Sequence, residues 1–302
     1  MESVIRRRLV ANEELCALLA KQMTTHGMEP AVFYQKASAD VDLQEGNYPQ
    51  IIFEVDKFTD AIHGVAGLLS VDIICSQDTT PPEPIERLIR QSLEGTFFKP
   101  HDGEIFILKW NKSEVFQEPA SERLPLLIGE TLTFEVFEFP SSVTQSPDPI
   151  WALQDWTANL GVMVIGLSAF DELFTPTRDK PAFYFDTQEE NFVEQTHSVI
   201  WLDAAINCHV FAPKVRDRRE WLTLFKQEIL LCTHIFLDDG SPMRLEDCKV
   251  NFAANEIQGQ IQLTFRYGVR RLERYHHILV SKDVCFGKKL RWQNLDKPHC
   301  KC

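Results

Sequence analysis

Apolar residues recur along the chain at two spacings, one helical and one alternating, and the order in which they follow each other is informative. Over residues 13–23, Leu15, Leu18, Leu19 and Met23 fall on one face at helical spacing. Asn12 stands just ahead of them and is suited to accept from the first free amides, so the pattern predicts an amphipathic helix closed by His26-Gly27. Residues 30–34 (PAVFY) then read as a short strand, and Tyr48-Pro49-Gln50-Ile51-Ile52-Phe53 as a second one with proline at its start. Residues 68–75 (LLSVDIIC) alternate as a half-buried strand does. The proline-rich turn 80–84 leads into a helix whose stripe is Ile85, Leu88, Ile89 and Leu93, stopped by Gly95. Two further strands, 105–110 and 131–139 (TLTFEVFEF), complete the set.

The same order returns in the second half. Lys180-Pro181-Ala182-Phe183-Tyr184-Phe185 answers residues 48–53 at a shift of 132, and residues 206–210 (INCHV) answer 71–75 (VDIIC) at 135. Trp221, Leu224, Phe225 and Ile229 fall on the helical stripe at 136, and Leu132-Thr133-Phe134 recurs as Leu263-Thr264-Phe265 at 131. Four elements within so narrow a range of shifts predict a duplication. The expected fold is α+β: two tandem related modules, each a mostly antiparallel sheet with helices packed on one face. The modules span 1–140 and 150–279, joined by a Ser/Pro-rich linker at 141–149 (SVTQSPDP follows Ser141) and followed by a basic extension at 280–302.

Composition narrows the partners. A hydrophobic share of 44% and a charged share of 25% are those of a globular chain. The net charge of −13 argues against coating nucleic acid, which needs clustered positive charge to displace counterions. The basic clusters Arg6-Arg7-Arg8 and Arg216-Asp217-Arg218-Arg219 read as solvated helix faces. No apolar region follows the N-terminal arginines, so no secretory leader is expected and the protein is expected inside a cell. The longest apolar run, 160–170 (LGVMVIGLSAF), is too short for a membrane span and reads as core or interface. The eight cysteines stand mostly in apolar contexts, where a free thiol acts as a small hydrophobe. In the tail, His299-Cys300-Lys301-Cys302 has soft donors, and a frayed terminus is the expected reading.

No catalytic pattern stands out: there is no phosphate-cradling glycine loop, no nucleophile elbow and no zinc-spaced cysteine pair. His101-Asp102-Gly103-Glu104 followed by Lys109 is the nearest approach to a metal-dependent nuclease, but Glu104 and Lys109 are five apart and on opposite faces of a strand, so a turn is expected. His197, His209 and the His276-His277 pair lack a spacing that brings two rings to one ion. Cys208 and His209 point to opposite faces of a strand and cannot form a dyad. No enzyme activity, metal or cofactor is expected.

The first copy, with its Tyr-Pro-Gln-Ile-Ile-Phe strand, Val71-Asp72-Ile73-Ile74 strand, Leu93-Glu94-Gly95 helix end and closing Leu132-Thr133-Phe134-Glu135-Val136 strand, resembles the tail-terminator (tail-completion) proteins of long-tailed bacteriophages. The resemblance covers about residues 13–140. It implies a structural virion protein of the tail or neck, assembled in the host cytoplasm, that caps the tail tube as a ring, ends its polymerisation and docks it to the head connector. Family members are single modules arranged as hexamers; duplication implies either six chains with an outer ring of second modules or three chains imitating six-fold symmetry. Tail-tube, head–tail connector and sheath proteins are the implied partners, with no membrane and no sequence-specific nucleic acid. The 131–139 strand is a plausible ring-forming edge, which makes Phe134, Val136, Phe137, Leu263 and Phe265 the expected interface. Alternatives are another connector, tube or baseplate component, a cellular two-module adaptor, or a hydrolase working through Asp102 and Glu104.

Overall fold

The computed structural model describes residues 1–24, 27–35, 48–58, 64–120 and 126–270. The basic extension 280–302, the His276-His277 pair and the Cys300 and Cys302 tail lie outside the described residues. Helix α1 (Glu2–Val10) buries Val4, Ile5 and Leu9. Its three arginines are not merely solvated: Arg6 pairs with Glu29, Arg7 with Glu172, and Arg8 donates to the Ser92 carbonyl. The helix expected over 13–23 is shorter. α2 (Glu13–Leu18) begins as expected, with the Asn12 side chain accepting from the Leu15 amide, but Leu19 is already extended. The chain then forms β1 (Lys21–Thr24), which pairs with β2 (Gly27–Pro30) as a two-stranded ribbon. Leu15 and Leu19 reach the core, whereas Met23, opposite Met28 in the ribbon, is exposed. With nothing to bury on its last turn, that segment satisfies its backbone in a ladder instead.

The first sheet is built from β3 (Val32–Tyr34), β4 (Gln50–Lys57), β5 (Gly67–Ser76), α3 (Pro82–Leu93), β6 (Phe97–Phe98), β7 (Ile105–Glu118) and β8 (Leu127–Phe139), with strand order β3-β4-β5-β8-β7-β6. β3 runs parallel to β4, and the other pairs are antiparallel. Leu69, Val71, Ile73 and Cys75 alternate inward along β5, which is the alternation legible in the sequence. Ile85, Leu88, Ile89 and Leu93 bury the expected stripe of α3, and Gly95 ends the turn with φ +70, a conformation that favours glycine.

The second half continues with α4 (Pro149–Ala158), β9 (Met163–Val164), β10 (Leu173–Phe174), β11 (Ala182–Gln195), β12 (Val199–Phe211), α5 (Val215–Leu231), β13 (Ile235–Phe236), β14 (Pro242–Val250) and β15 (Ile261–Arg270). Its strand order is β9-β11-β12-β15-β14-β13, and β9 runs parallel to β11. Apart from α2 and the β1–β2 ribbon in the first half and β10 in the second, both halves run helix, short parallel strand, hairpin, helix, short strand and hairpin.

The agreement extends to register. Val71 pairs with Leu132 in the first sheet and Ile206 with Leu263 in the second, so the matched sequence segments meet in the same cross-strand pair. Val32 pairs with Ile51, and Val164 with Phe183. β7 carries a bulge between Trp110 and Lys112, opposite Phe134 and Thr133; β14 carries one between Leu245 and Asp247, opposite Phe265 and Thr264. One hairpin differs: Phe53 faces Val71, but Phe185 faces Cys208 rather than Ile206. A slip of two residues keeps every side chain on its own face.

Two departures concern packing. On α5 the buried apolar positions are Leu222, Phe225 and Ile229, and Leu224, expected inside, is exposed. The strand expected at an edge, β8, lies between β5 and β7 in the middle of its sheet. Phe134 and Val136 face α1–α3, Phe137 faces the opposite side, and Leu263 and Phe265 on β15 face α4 and α5; all five are buried within the chain. They are core, not a surface for a partner.

The two sheets share a third core. Phe97, Ile107, Phe137 and Phe139 from the face of the first sheet away from its helices pack with Met163, Ile165, Ala182, Tyr184 and Phe211 from the second. β10 also pairs with β6, Leu173 opposite Phe98, adding a strand from the second half to the first sheet. The layers thus run helices, sheet, sheet, helices. Of the two readings of the run 160–170, core is the one seen: Val162 and Val164 enter the second core, and Met163 and Ile165 the shared one.

Candidate functional site

Where the chain leaves β8 and enters α4 it lines a cleft of about 500 Å³ between the halves. The connector is held there by named bonds. The Asp148 carboxylate accepts from the Ile150 and Trp151 amides (2.7 and 3.1 Å), capping α4, and from the Thr144 and Gln145 amides (2.8 and 3.2 Å). The Gln145 side-chain amide donates to Glu190 and to the Tyr267 hydroxyl (3.2 and 3.1 Å). The Tyr184 hydroxyl donates to the Pro140 carbonyl at 2.9 Å and lies 3.2 Å from the Ser142 hydroxyl. Burial raises the Tyr184 phenol above its ordinary pKa, so it serves as a donor.

At the cleft wall His209 sits against Asp186, a neighbour diagonally across the β11–β12 ladder. Its Nε2 is 2.8 Å from the Asp186 Oδ1, and its Nδ1 is 2.8 Å from the Glu256 carbonyl. Both ring nitrogens are engaged, so the imidazole ties β12 to β11 and to the 251–260 loop and has no nitrogen turned to the cleft to relay a proton. Cys208 points the other way, into the second core, as its strand position requires. The pairing of His209 with Asp186 was not legible in the sequence, because it depends on which strand lies beside β12.

The remaining candidates are dispersed. His101 and Asp102 occupy the exposed turn between β6 and β7, and Lys109 turns toward Glu256, 3.9 Å away, in the other half. His197 is exposed at the β11–β12 turn. Among the described residues no group of three His, Cys, Asp or Glu side chains is arranged to hold a metal ion. No described helix is long and apolar enough to cross a membrane.

Exposed apolar residues lie on projecting parts of the fold. They include Met23 and Met28 on the β1–β2 ribbon, Val115 on β7, Phe192 on β11, and Leu224, Leu230 and Leu231 on α5. These, rather than the buried residues of β8 and β15, are the surfaces open to a partner. Periodicity marks them only as breaks in an otherwise polar face. No protein-family model matches the chain, and no curated protein matches it.

Proposed function

We propose that the chain is a duplicated assembly module of the tail-terminator kind: a virion protein that forms a ring on the tail tube, ends its growth and presents a face to the head connector. The observation that carries the duplication is the bulge repeated opposite Phe134-Thr133 and Phe265-Thr264, within sheets of one strand order. Bulges interrupt a ladder and are kept within families, so the same bulge at the same register is not a general property of α+β sheets. The step from duplicated module to tail terminator is supported by the resemblance of the strands and helix end in residues 48–136 to that family.

The shared core suits the role. With Phe97, Phe139 and Phe211 packed between the sheets, the two modules present themselves to a partner as one block. A divergent second module then offers a different surface from the first, one for the tube and one for connector or sheath proteins. Six such chains give two concentric sets of modules, and three give a pseudo-six-fold ring.

The test is electron microscopy of tails assembled with and without the protein. Tubes of unregulated length in its absence, and capped tubes on adding it back, are expected. Tubes of normal length without it would overturn the reading.

A further inference from the structure

The second sheet runs on past the point where the first one stops. Counted from the matched pairs Val71–Leu132 and Ile206–Leu263, the β5–β8 ladder ends at Gly67 opposite Val136, which corresponds to Leu202 opposite Tyr267. β12 and β15 continue for three more pairs, to Val199 opposite Arg270. Partners across an antiparallel ladder share a face, so Phe192, Leu202 and Tyr267 form one row across β11, β12 and β15. Ile200 and Val269, each two residues along its strand, form the next row on that face. It is the face of the second core: Ala204, Phe265 and Tyr267 are buried there, and Leu202 and Val269 pack at its margin. Past Tyr267 the cover thins. Phe192 is 64% exposed, and Ile200, Leu202 and Val269 are half-buried. The sheet thus ends in an apolar shelf that the described residues leave partly open.

The course of the chain points to what covers it. Arg270, the last described residue, follows Val269 at the rim of the shelf, and 32 residues come after it. Their first stretch, 271–281 (RLERYHHILVS), puts Leu272, Tyr275 and Leu279 at helical spacing. Nine residues of helix, 272–280, are about 13 Å long, and three neighbouring strands span about 10 Å. The stripe is therefore long enough to cross from Val269 to Phe192. Charge acts in the same direction. Residues 271–302 carry eight Lys and Arg against three Asp and Glu, whereas residues 1–270 carry 23 against 41, so the segment is drawn onto the body it leaves.

We propose that residues 272–280 fold back over this shelf as a helical strap of their own chain. Leu272 lies on Val269, Tyr275 on Ile200 and Leu202, and Leu279 on Phe192. Glu190 pairs with Ala204 and so shares the face of Phe192, which makes it the acid for Arg274 to approach. The strap extends the second core by burying apolar surface that is otherwise wet. The contact is independent of the tail-terminator reading, and it leaves the β1–β2 ribbon and α5 as apolar surfaces open to a partner.

The test is hydrogen–deuterium exchange on the full-length protein, read by mass spectrometry, with the solution mass followed by light scattering over the same concentrations. Peptides within 272–280 are expected to exchange more slowly than free chain at every concentration. Phe192→Asp, at an exposed position outside the cores, is expected to speed that exchange about tenfold or more by removing the aromatic contact. Tyr275→Asp is expected to raise the binding of an apolar dye by uncovering the shelf. Circular dichroism confirms that both variants are folded. Exchange of 272–280 at the rate of free chain in the wild type overturns the strap, and so does protection that Phe192→Asp leaves unchanged or dye binding that Tyr275→Asp does not raise. Protection that appears only as the solution mass rises shows that the segment reaches another copy, and overturns the contact within one chain.

Discussion

The ring of Phe116 covers Gly129 directly across the β7–β8 ladder, so closely that a Cβ built on Gly129 would lie 2.1 Å from the ring's Cζ. Glycine there lets an aromatic lie flat on the neighbouring backbone, which helps pin the strand register. Gly129→Ala is expected to force the ring off the strand and to destabilise the protein by about 1–2 kcal/mol, as other overpacking changes do. Phe116→Ala in the same chain should remove most of that penalty. Urea denaturation of the two singles and the double measures the coupling, and simple additivity would show that the ring is not what excludes the methyl group.

The shared core makes a second prediction. Phe211 contacts Phe97 and Phe139 edge-on, at 5.0 and 5.4 Å between centroids. Phe211→Ala opens a cavity between the sheets and is expected to cost roughly 3–5 kcal/mol. Because the loss falls at the junction, limited proteolysis should then cut the connector 140–148 faster than in the wild type. Unchanged cleavage there would mean that the halves hold together without this contact.

Glu130 predicts a pH dependence. It is buried beside Glu86 and Glu83, its Oε2 has no hydrogen-bond partner, and burial first, then those two acids, hold its carboxyl above the ordinary 4.5; the Ser113 hydroxyl partly offsets this. A carboxyl with a raised folded pKa contributes stability that is fully present below its unfolded pKa and lost as pH rises through the folded value. Glu130→Gln is therefore expected to be more stable than the wild type at pH 7, with the difference shrinking as pH falls toward 4.5. Thermal melts across that interval decide it, and a variant less stable at pH 7 would contradict the prediction.

The cysteines separate by burial. Desolvation pushes the Cys75 thiol up to about 12 and the Cys208 thiol well above its ordinary value. Thiolate is the reactive form, so iodoacetamide at pH 8 should leave both unmodified in the native protein while the partly exposed Cys232 reacts. Peptide mapping by mass spectrometry reads all three at once. Rapid modification of Cys208 without unfolding would show that the second core opens.

Much of the architecture was legible because burial imposes a period. β5 alternates along its whole length, and α3 repeats at helical spacing between a proline and a glycine, so both were readable residue by residue. The matched Leu-Thr-Phe segments were readable as strands for the same reason, but their place in the middle of each sheet was not. Misreadings arose where an apolar pattern was assigned the wrong covering. Leu224 was expected on the helical stripe of α5, yet among the described residues no second helix covers it as α1 and α2 cover α3. Phe134 and Phe137 were expected on one exposed edge, but residues an odd number of positions apart on a strand face opposite layers, and here both layers are filled. The cleft residues His209 and Asp186 sit 23 apart and meet only through the strand ladder.

The sequence by itself determined the α+β class of fold and the inward face of strands such as β5, since each follows from local spacing and from the need to bury apolar side chains. Only the tertiary structure decided that the segment after Leu18 becomes a ribbon, that β10 joins the other half's sheet and that the two sheets pack back to back. Periodicity records that a face is covered. What covers it depends on residues far along the chain, and that is settled only when the layers assemble.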